Sequence, residues 1–191
     1  VYVTTPSVSD AEASVRVEVE IANQSDGSQP VDVVAEILNP DGKLVATQSK
    51  SLTAEVGTAS LPFDFKVAEP QRWDVDHPHL YVTRTRVSVG GREVDAKNTT
   101  FGIRTIQWTA NDGFQLNGRR VDLKGVCEHH THGMLGAAFF PRAMERKLEI
   151  LKDMGINALR TSHNAEAPEV LEICDRLGIV VINELFDKWD G

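Results

Sequence analysis

Three short polar segments each follow an apolar run of the chain, and their side chains are of the kinds that bind or activate a substrate. The segments are Glu128–His132 (Glu-His-His-Thr-His), Arg160–Asn164 (Arg-Thr-Ser-His-Asn) and Asn183–Asp187 (Asn-Glu-Leu-Phe-Asp). They place a permanent cation, titratable rings, carboxylates and amides where strands are expected to end, and α/β folds keep their chemistry at such ends. Packing alone does not explain three such segments in succession, so they predict a functional site.

The first segment contains possible metal ligands. They are one glutamate and three histidines: Glu128, His129, His130 and His132. Zinc sites depend on spacings such as H-E-x-x-H or C-x-x-C, which hold the ligands on one element. The cluster lacks such a spacing, so we predict no metal site and no cofactor.

The second half of the chain predicts the elements that hold these segments. Asn117-Gly118 indicates a β-hairpin, because Asn and Gly supply the positive φ angles of a type I′ turn. Two helices are predicted at Pro141–Gly155 and Pro168–Gly178, each opened by proline and closed by glycine. Strands are expected in the apolar runs Val121–Val126, Asn157–Thr161 and Ile179–Ile182. The last run has no polar alternation, which is typical of a parallel strand buried on both faces.

From Val1 to about Thr105 the apolar residues mostly alternate with polar ones, as in half-buried strands. The clearest runs are Val15–Ile21, Val31–Ile37 and Leu61–Val67. Turn-forming clusters separate them, at Asn23–Gly27, Asn39–Gly42 and Gly90-Gly91. This spacing is typical of an antiparallel sandwich of immunoglobulin type, without the Cys-Trp-Cys pattern of antibody domains.

The 191 residues exceed the usual domain of about 100 to 150 residues. We predict an all-β immunoglobulin-like sandwich at 1–105, followed at 106–191 by an incomplete α/β segment with three strands and two helices. That order of elements is the beginning of a parallel α/β barrel or of a doubly wound sheet.

Composition excludes several classes of partner. A net charge of −8 and a pI near 5.2 argue against nucleic acid, whose binders present clustered Lys and Arg. No apolar run approaches the roughly 20 residues of a membrane span, so we expect no membrane insertion. Cys127 and Cys174 form no disulfide framework, and both are expected to be buried free thiols. The chain begins with Val1 and no signal segment, so we expect it to be a piece of a longer protein, of unknown compartment.

Ordered sequence matches along nearly the whole chain point to one family. They are Trp73–Tyr81 (WDVDHPHLY), Phe101–Arg104 (FGIR), Phe114–Gly118 (FQLNG), Lys124–His130 (KGVCEHH), Met154–Asn164 (MGINALRTSHN) and Cys174–Gly178 (CDRLG). In these segments the chain resembles glycoside hydrolase family 2, and more closely its bacterial β-galactosidases. The resemblance implies that the alternating half is the family's immunoglobulin-like domain. The second half would be the beginning of its TIM barrel.

The resemblance also implies a mechanism, which is retaining hydrolysis of a β-glycosidic bond by two glutamates about 5 to 5.5 Å apart. In the family both glutamates lie on later barrel strands, so we expect this chain, which ends at Gly191, to lack them and to be inactive alone. Glu184 matches the family's Asp-Glu segment at strand three, which is a supporting position.

Site residues are carried over from the family one by one. His129 and His163 match histidines that contact the sugar, and Asn164 and Asp187 are expected at the rim of the site. Arg160 matches the arginine beside the nucleophile, where a permanent cation keeps a carboxylate ionised and oriented.

Two residues depart from the family pattern. Glu128 stands where many members have Arg, and Asn183 stands where Asp is common. The detailed subsite chemistry and any metal contact of the family are therefore left open.

Each assignment has a purely structural alternative. His129 and His163 are alternatively structural histidines bonded to backbone, and Arg160 alternatively pairs with a carboxylate such as Glu184. Trp73 and Tyr81 resemble a sugar-stacking platform, but aromatic residues of a sandwich strand usually belong to its core.

Three functions follow, and the β-glycosidase is preferred. Its partners are a glycoside substrate and the rest of the parent chain. The alternatives are a non-catalytic carbohydrate-binding or scaffolding module and a metal-dependent hydrolase built on the histidine cluster. Three barrel strands do not close, so we also expect self-association or local disorder at the open edge after Ile179–Ile182.

Overall fold

The computed structural model describes residues 1–187, which form two compact units. The first unit contains residues 1–72 and 79–104. The second contains residues 73–78 and the described residues from Thr105 onward. Residues 73–78 thus belong to the second unit although residues of the first unit flank them on both sides in the chain.

Seven strands arranged in two antiparallel sheets make up the first unit. The strands are β1 (Tyr2–Val8), β2 (Glu12–Asn23), β3 (Gln29–Leu38), β4 (Leu44–Ala54), β5 (Gly57–Ala68), β6 (Tyr81–Val89) and β7 (Arg92–Phe101). One sheet has the order β1-β2-β5 and the other has the order β4-β3-β6-β7.

The core of the first unit consists of alternate residues of these strands. In β2 the side chains of Val15, Val17 and Val19 are buried, and in β5 those of Phe63 and Phe65 are buried. The intervening residues face outward because successive side chains of a strand point to opposite faces. The strands predicted from period two are confirmed, and so is the fold class of an N-terminal β-sandwich.

The second unit contains two small sheets, two helices and a single 3₁₀ turn among its described residues. The antiparallel strands are β8 (Ile106–Thr109), β9 (Gly113–Leu116) and β10 (Arg119–Arg120), and the parallel strands are β11 (Gly125–Glu128), β12 (Ala158–Thr161) and β13 (Val180–Ile182). The helices are α1 (Pro141–Asp153) and α2 (Pro168–Leu177), and the 3₁₀ turn is Gly133–Leu135. Neither helix is long and apolar enough to cross a membrane.

The predicted hairpin lies between β9 and β10. Asn117 and Gly118 have φ angles of +53° and +75°, the signs that a type I′ turn requires. The Asn117 side chain also accepts a hydrogen bond from the Thr105 backbone (3.0 Å) and donates one to the carbonyl oxygen of Trp73 (3.0 Å).

Both predicted helices are confirmed, with proline at the first helical position. Met144 and Leu148 of α1 and Val170 and Cys174 of α2 are buried in a second core that also includes Leu159 of β12. The order of elements from β11 to β13 is strand, helix, strand, helix, strand, as predicted.

Two expectations about the parallel strands are wrong. The first strand begins at Gly125 rather than at Val121, so Glu128 is its last residue and does not follow it. The third strand is not buried on both faces, since Val180 and Val181 are half-buried and Ile182 is 50% exposed. In the described part of the chain β13 pairs with β12 alone, which leaves one edge and part of its faces uncovered.

The segment 73–78 packs against the helices of the second unit. Trp73 is fully buried, and its indole donates a hydrogen bond to the carbonyl oxygen of Asp175 (2.8 Å). The Lys152 ammonium donates to the carbonyl oxygens of Val75 (2.6 Å) and Gly178 (3.0 Å). Trp73 is therefore a core residue, as expected, but it belongs to the second unit and lies in no strand.

Tyr81 has the role expected of a sandwich aromatic. It is 2% exposed, lies in β6 and belongs to the core of the first unit. Its hydroxyl accepts a hydrogen bond from the backbone N–H of Gln71 (2.9 Å).

Candidate functional site

The parallel register brings the ends of three strands together. Cys127 pairs with Arg160 and Glu128 pairs with Thr161 between β11 and β12, while Arg160 pairs with Ile182 between β12 and β13. The polar residues that follow the three strands therefore leave the sheet at the same edge. This edge is the candidate site.

Glu184 lies at the centre of the site and binds two of the predicted residues. Its Oε1 accepts a hydrogen bond from Arg160 Nε (2.7 Å) and lies 2.5 Å from Arg160 Nη2, and its Oε2 lies 3.0 Å from His163 Nδ1. The backbone N–H of Glu184 donates to the hydroxyl of Thr161 (2.7 Å). The Thr161 hydroxyl donates in turn to Asn183 Oδ1 (3.2 Å). These contacts fix the carboxylate between a guanidinium and an imidazole.

The environment of Glu184 keeps it ionised. Partial burial alone would raise the pKa of this carboxyl, but hydrogen bonds from Arg160 and His163 outweigh burial and lower the pKa below its usual value. The alternative that Arg160 pairs with Glu184 is thus observed. This pairing does not prevent Arg160 from binding a second carboxylate as well, because a guanidinium carries five N–H groups.

The two predicted histidines lie side by side. The ring centroids of His129 and His163 are 5.6 Å apart, and the rings meet edge to face. His129 is exposed, whereas His163 is half-buried beside Glu184. Both rings therefore border the same edge of the sheet.

Asn164 and Asp187, the residues predicted at the rim, are exposed. Their assignment to the rim stays a prediction.

Two further carboxylates lie beneath the loop that follows β11, and sequence reasoning missed their partners. The Glu128 side chain is 7% exposed and binds Lys147 of α1. The Glu166 side chain is 2% exposed, and its Oε2 lies 3.4 Å from His130 Nε2. A charged residue shortly after the apolar run Val121–Val126 was the available signal for the first pair, since a buried carboxylate requires a cation.

The cysteines differ from each other. Cys174 is buried as expected, and burial raises the pKa of its thiol to about 12. Cys127 is exposed, so the expectation that it is buried is wrong. In β11, Val126 packs on the helix core and Glu128 binds α1, so Cys127 points to the opposite face. There the Cys127 sulfur lies 3.6 Å from Arg160 Nη1.

Within residues 1–187 no three His, Cys, Asp or Glu side chains are grouped as a metal site. A separate cleft of about 480 Å³ lies in the first unit, at the end of the sandwich. Aliphatic and polar side chains line it, among them Ile21, Val31, Val94, Glu20 and Asp95.

Comparison with known proteins identifies relatives of both units. The profile described as Glycosyl hydrolases family 2 matches residues 1–104. The profile described as Glycosyl hydrolases family 2, TIM barrel domain, matches residues 109–186. A β-galactosidase of Bacteroides ovatus is 43% identical over 189 residues, which are 98% of this chain and 22% of that protein.

Solved structures superimpose on nearly the whole chain. A glycosyl hydrolase family 2 member from Bacteroides cellulosilyticus has a TM-score of 0.94 at 39% identity, covering 98% of this chain and 26% of that one. A Bacteroides uniformis β-glucuronidase 2 covalently bound to cyclophellitol-6-carboxylate aziridine has a TM-score of 0.89 at 28% identity. The match covers 94% of this chain and 22% of that one. The chain thus spans about a quarter or less of the length of these relatives.

Proposed function

Since the chain belongs to glycosyl hydrolase family 2, we propose that it is part of a retaining β-glycosidase that hydrolyses terminal β-galactosides or related β-glycosides. The observation that carries the proposal is the Arg160–Glu184–His163 group at the common edge of three parallel strands. The names of the relatives, a β-galactosidase and a β-glucuronidase, support the reaction class but not the choice of sugar.

In this proposal the residues of the chain hold the substrate and the nucleophile. His129 and His163 donate hydrogen bonds to sugar hydroxyls from adjacent rings. Glu184 holds Arg160 in place through Nε and Nη2, and the guanidinium, whose Nη1 also lies 3.6 Å from the Cys127 sulfur, binds a second carboxylate, the nucleophile, with a remaining N–H. A permanent cation beside that nucleophile keeps it ionised, as covalent glycosidase chemistry requires. Asn164 and Asp187 contact the substrate at the rim.

The proposal assigns the acid/base and nucleophile glutamates to parts of the enzyme outside these 191 residues. The chain alone is then a supporting half-site without turnover. The test compares the 191-residue chain with a full-length family member on a chromogenic β-galactoside and a β-glucuronide. Turnover by the chain alone at a rate near that of the full-length enzyme would contradict the assignment.

A non-catalytic carbohydrate-binding module is the second candidate, favoured by the 480 Å³ cleft of the sandwich unit. Pockets for small ligands commonly have volumes of about 300 to 1,000 Å³. Calorimetric titration with galactose separates the two sites, with His163→Ala altering the strand-end site and Asp95→Ala altering the cleft. We expect His163→Ala to abolish binding and Asp95→Ala to leave it unchanged. The opposite pattern would favour the binding module.

A further inference from the structure

We propose that Lys147 is a positioning residue that sets the place of His129. Its ammonium contacts the chain on both sides of that histidine. Nζ lies 2.5 Å from Glu128 Oε1 and donates to the carbonyl oxygen of Thr131 at 3.0 Å. One cation in α1 therefore holds both ends of the four-residue segment that contains His129.

The first contact is required by burial. Glu128 ends β11 with its side chain 7% exposed, and a carboxylate removed from water needs a cation or further hydrogen bonds to stay ionised. Lys147 is more accessible, with its side chain 32% exposed, and its ammonium reaches the buried carboxylate from α1. Without the ammonium, the buried Glu128 carboxylate would lose its cation and would have to turn toward solvent.

The backbone transmits any such movement to His129. The carbonyl oxygen of Glu128 accepts a hydrogen bond from the backbone N–H of Ser162 (2.8 Å), which precedes His163 in the chain. The carbonyl oxygen of His129 accepts one from the N–H of Thr131 (2.6 Å). Displacement of Glu128 or Thr131 therefore changes the distance between the two imidazole rings, which is 5.6 Å between centroids.

A second contact holds the same loop but differs in kind. His130 Nε2 lies 3.4 Å from Glu166 Oε2 on the loop between β12 and α2. That contact reaches the segment at one residue, whereas Lys147 contacts it at Glu128 and at Thr131, on both sides of His129.

The proposal rests on the proposed function only for the claim that His129 binds the sugar. The positioning itself is tested without any ligand, by NMR of the 191-residue chain carrying Lys147→Met. Methionine keeps most of the length of the side chain but removes the charge. We expect the His129 ring resonances to shift and the ring-to-ring NOE with His163 to weaken at least about threefold, since the NOE falls steeply with distance.

The matched control is Arg142→Met in the same helix. Arg142 pairs with Glu145 and Glu149 on the exposed surface, and its side chain is 68% exposed. We expect this control to leave the His129 resonances at their wild-type positions. If Lys147→Met lowers thermal stability but leaves both the resonances and the NOE unchanged, its role is structural only and the proposal is overturned.

The double variant Glu128→Gln with Lys147→Met guards against simple misfolding. It removes the uncompensated buried carboxylate, so the fold is expected to recover, but it does not restore the hydrogen bond to Thr131. We expect the His129 resonances to remain shifted in this folded variant. Wild-type resonances in the double variant would overturn the proposal.

The link to the sugar is tested in the full-length enzyme by steady-state kinetics. We expect Lys147→Met to raise KM about tenfold with little change in kcat, the pattern of a lost contact made equally to ground and transition states. An unchanged KM in an active enzyme would overturn the link. If the wild-type enzyme hydrolyses no β-glycoside, the proposed function fails, whereas the NMR comparison still decides whether Lys147 positions His129.

Discussion

The strands of the first unit are long and bury alternate residues, whereas the parallel strands of the second unit are short and lead into polar segments. β2 and β5 have 12 residues each, and their unit has fifteen buried residues in its described core. β11, β12 and β13 have 4, 4 and 3 residues, and the corresponding core has seven buried residues. Apolar burial is thus concentrated in the first unit.

Buried carboxylates follow the opposite trend. The two most buried carboxylates that take part in ion pairs, Glu128 and Glu166, belong to the second unit. The most buried one in the sandwich, Glu36, is 14% exposed and lies between two arginines of β6. Because burying a charge costs free energy even when it is paired, the unit that contains the candidate site carries the larger electrostatic cost. The larger apolar core thus lies in the sandwich, and the more buried paired carboxylates lie in the second unit.

The largest effects on stability are expected from truncations in the two cores. These truncations also distinguish one unit from the other, because each should affect its own unit. Trp73→Ala removes a fully buried ring from the second unit, and Phe63→Ala removes one from the first. Each is expected to cost about 3 to 5 kcal/mol of unfolding free energy. Hydrogen exchange measured by mass spectrometry should show lost protection in α1 and α2 for Trp73→Ala and in β2 and β5 for Phe63→Ala. Lost protection of β2 and β5 in Trp73→Ala, with the helices unchanged, would contradict the assignment of residues 73–78 to the second unit.

An intermediate effect is expected where the second unit touches its inserted segment. Gly178 has φ of +70°, and a Cβ there would lie 2.5 Å from the carbonyl oxygen of Val75. Gly155 has φ of +95°, and a Cβ there would meet nothing within 4 Å. Gly155→Ala should therefore cost about 1 kcal/mol from backbone strain alone. Gly178→Ala should cost about 3 kcal/mol, because overpacking adds to the strain.

Urea unfolding measures both glycine variants. The larger loss of stability in Gly178→Ala should be accompanied by faster amide exchange at residues 73–78. Gly155→Ala should not show this faster exchange. Equal losses of stability in the two variants would show that the contact with Val75 contributes nothing.

The smallest effect is expected in the pH dependence of the candidate site. The pKa of Glu184 is lower in the folded chain than its ordinary value of 4.5, because hydrogen bonds from Arg160 and His163 outweigh the effect of burial. Its ionised form therefore stabilises the fold above that value, and this stability is lost as the pH falls through the lowered folded pKa.

The matching experiment follows urea unfolding of wild type and Glu184→Gln between neutral and acidic pH. Wild type should be the more stable near pH 7, and the difference should shrink below pH 4.5 as Glu184 takes up a proton. The control is Glu172→Gln, at an exposed position of α2, for which we expect no such convergence. A difference that grows with acidity would refute the proposed charge arrangement.

Local patterns were sufficient to predict most of the elements. Period two identified β2, β3 and β5, and proline followed by helical spacing identified α1 and α2. These signals are local, since side-chain direction is set by the geometry of a single element. The Asn-Gly turn was recognised for the same reason.

Contacts between distant residues left no comparable signal. Trp73 lies in a stretch that borders the sandwich in sequence, yet its hydrogen-bond partner is Asp175. The exposure of Cys127 depends on which face of β11 the helices cover, and the pairing of Glu128 with Lys147 depends on how α1 packs. Strand ends and residue types indicated Arg160, His163 and Glu184, but their mutual distances required the folded chain.

The insertion of residues 73–78 into the second unit also bears on how the chain is made. Trp73 leaves the ribosome 102 residues before Asp175, whose backbone carbonyl oxygen accepts the hydrogen bond from the indole. At about 5 to 20 residues per second, the segment waits roughly 5 to 20 s for that partner. The last strands of the sandwich, β6 and β7, are completed at Phe101, early in this interval, and for the rest of it the large indole remains without its pocket. Trp73 is the first large apolar residue of the second unit to be synthesised. A chaperone that binds nascent chains would therefore have more time to bind it than any later apolar residue of that unit.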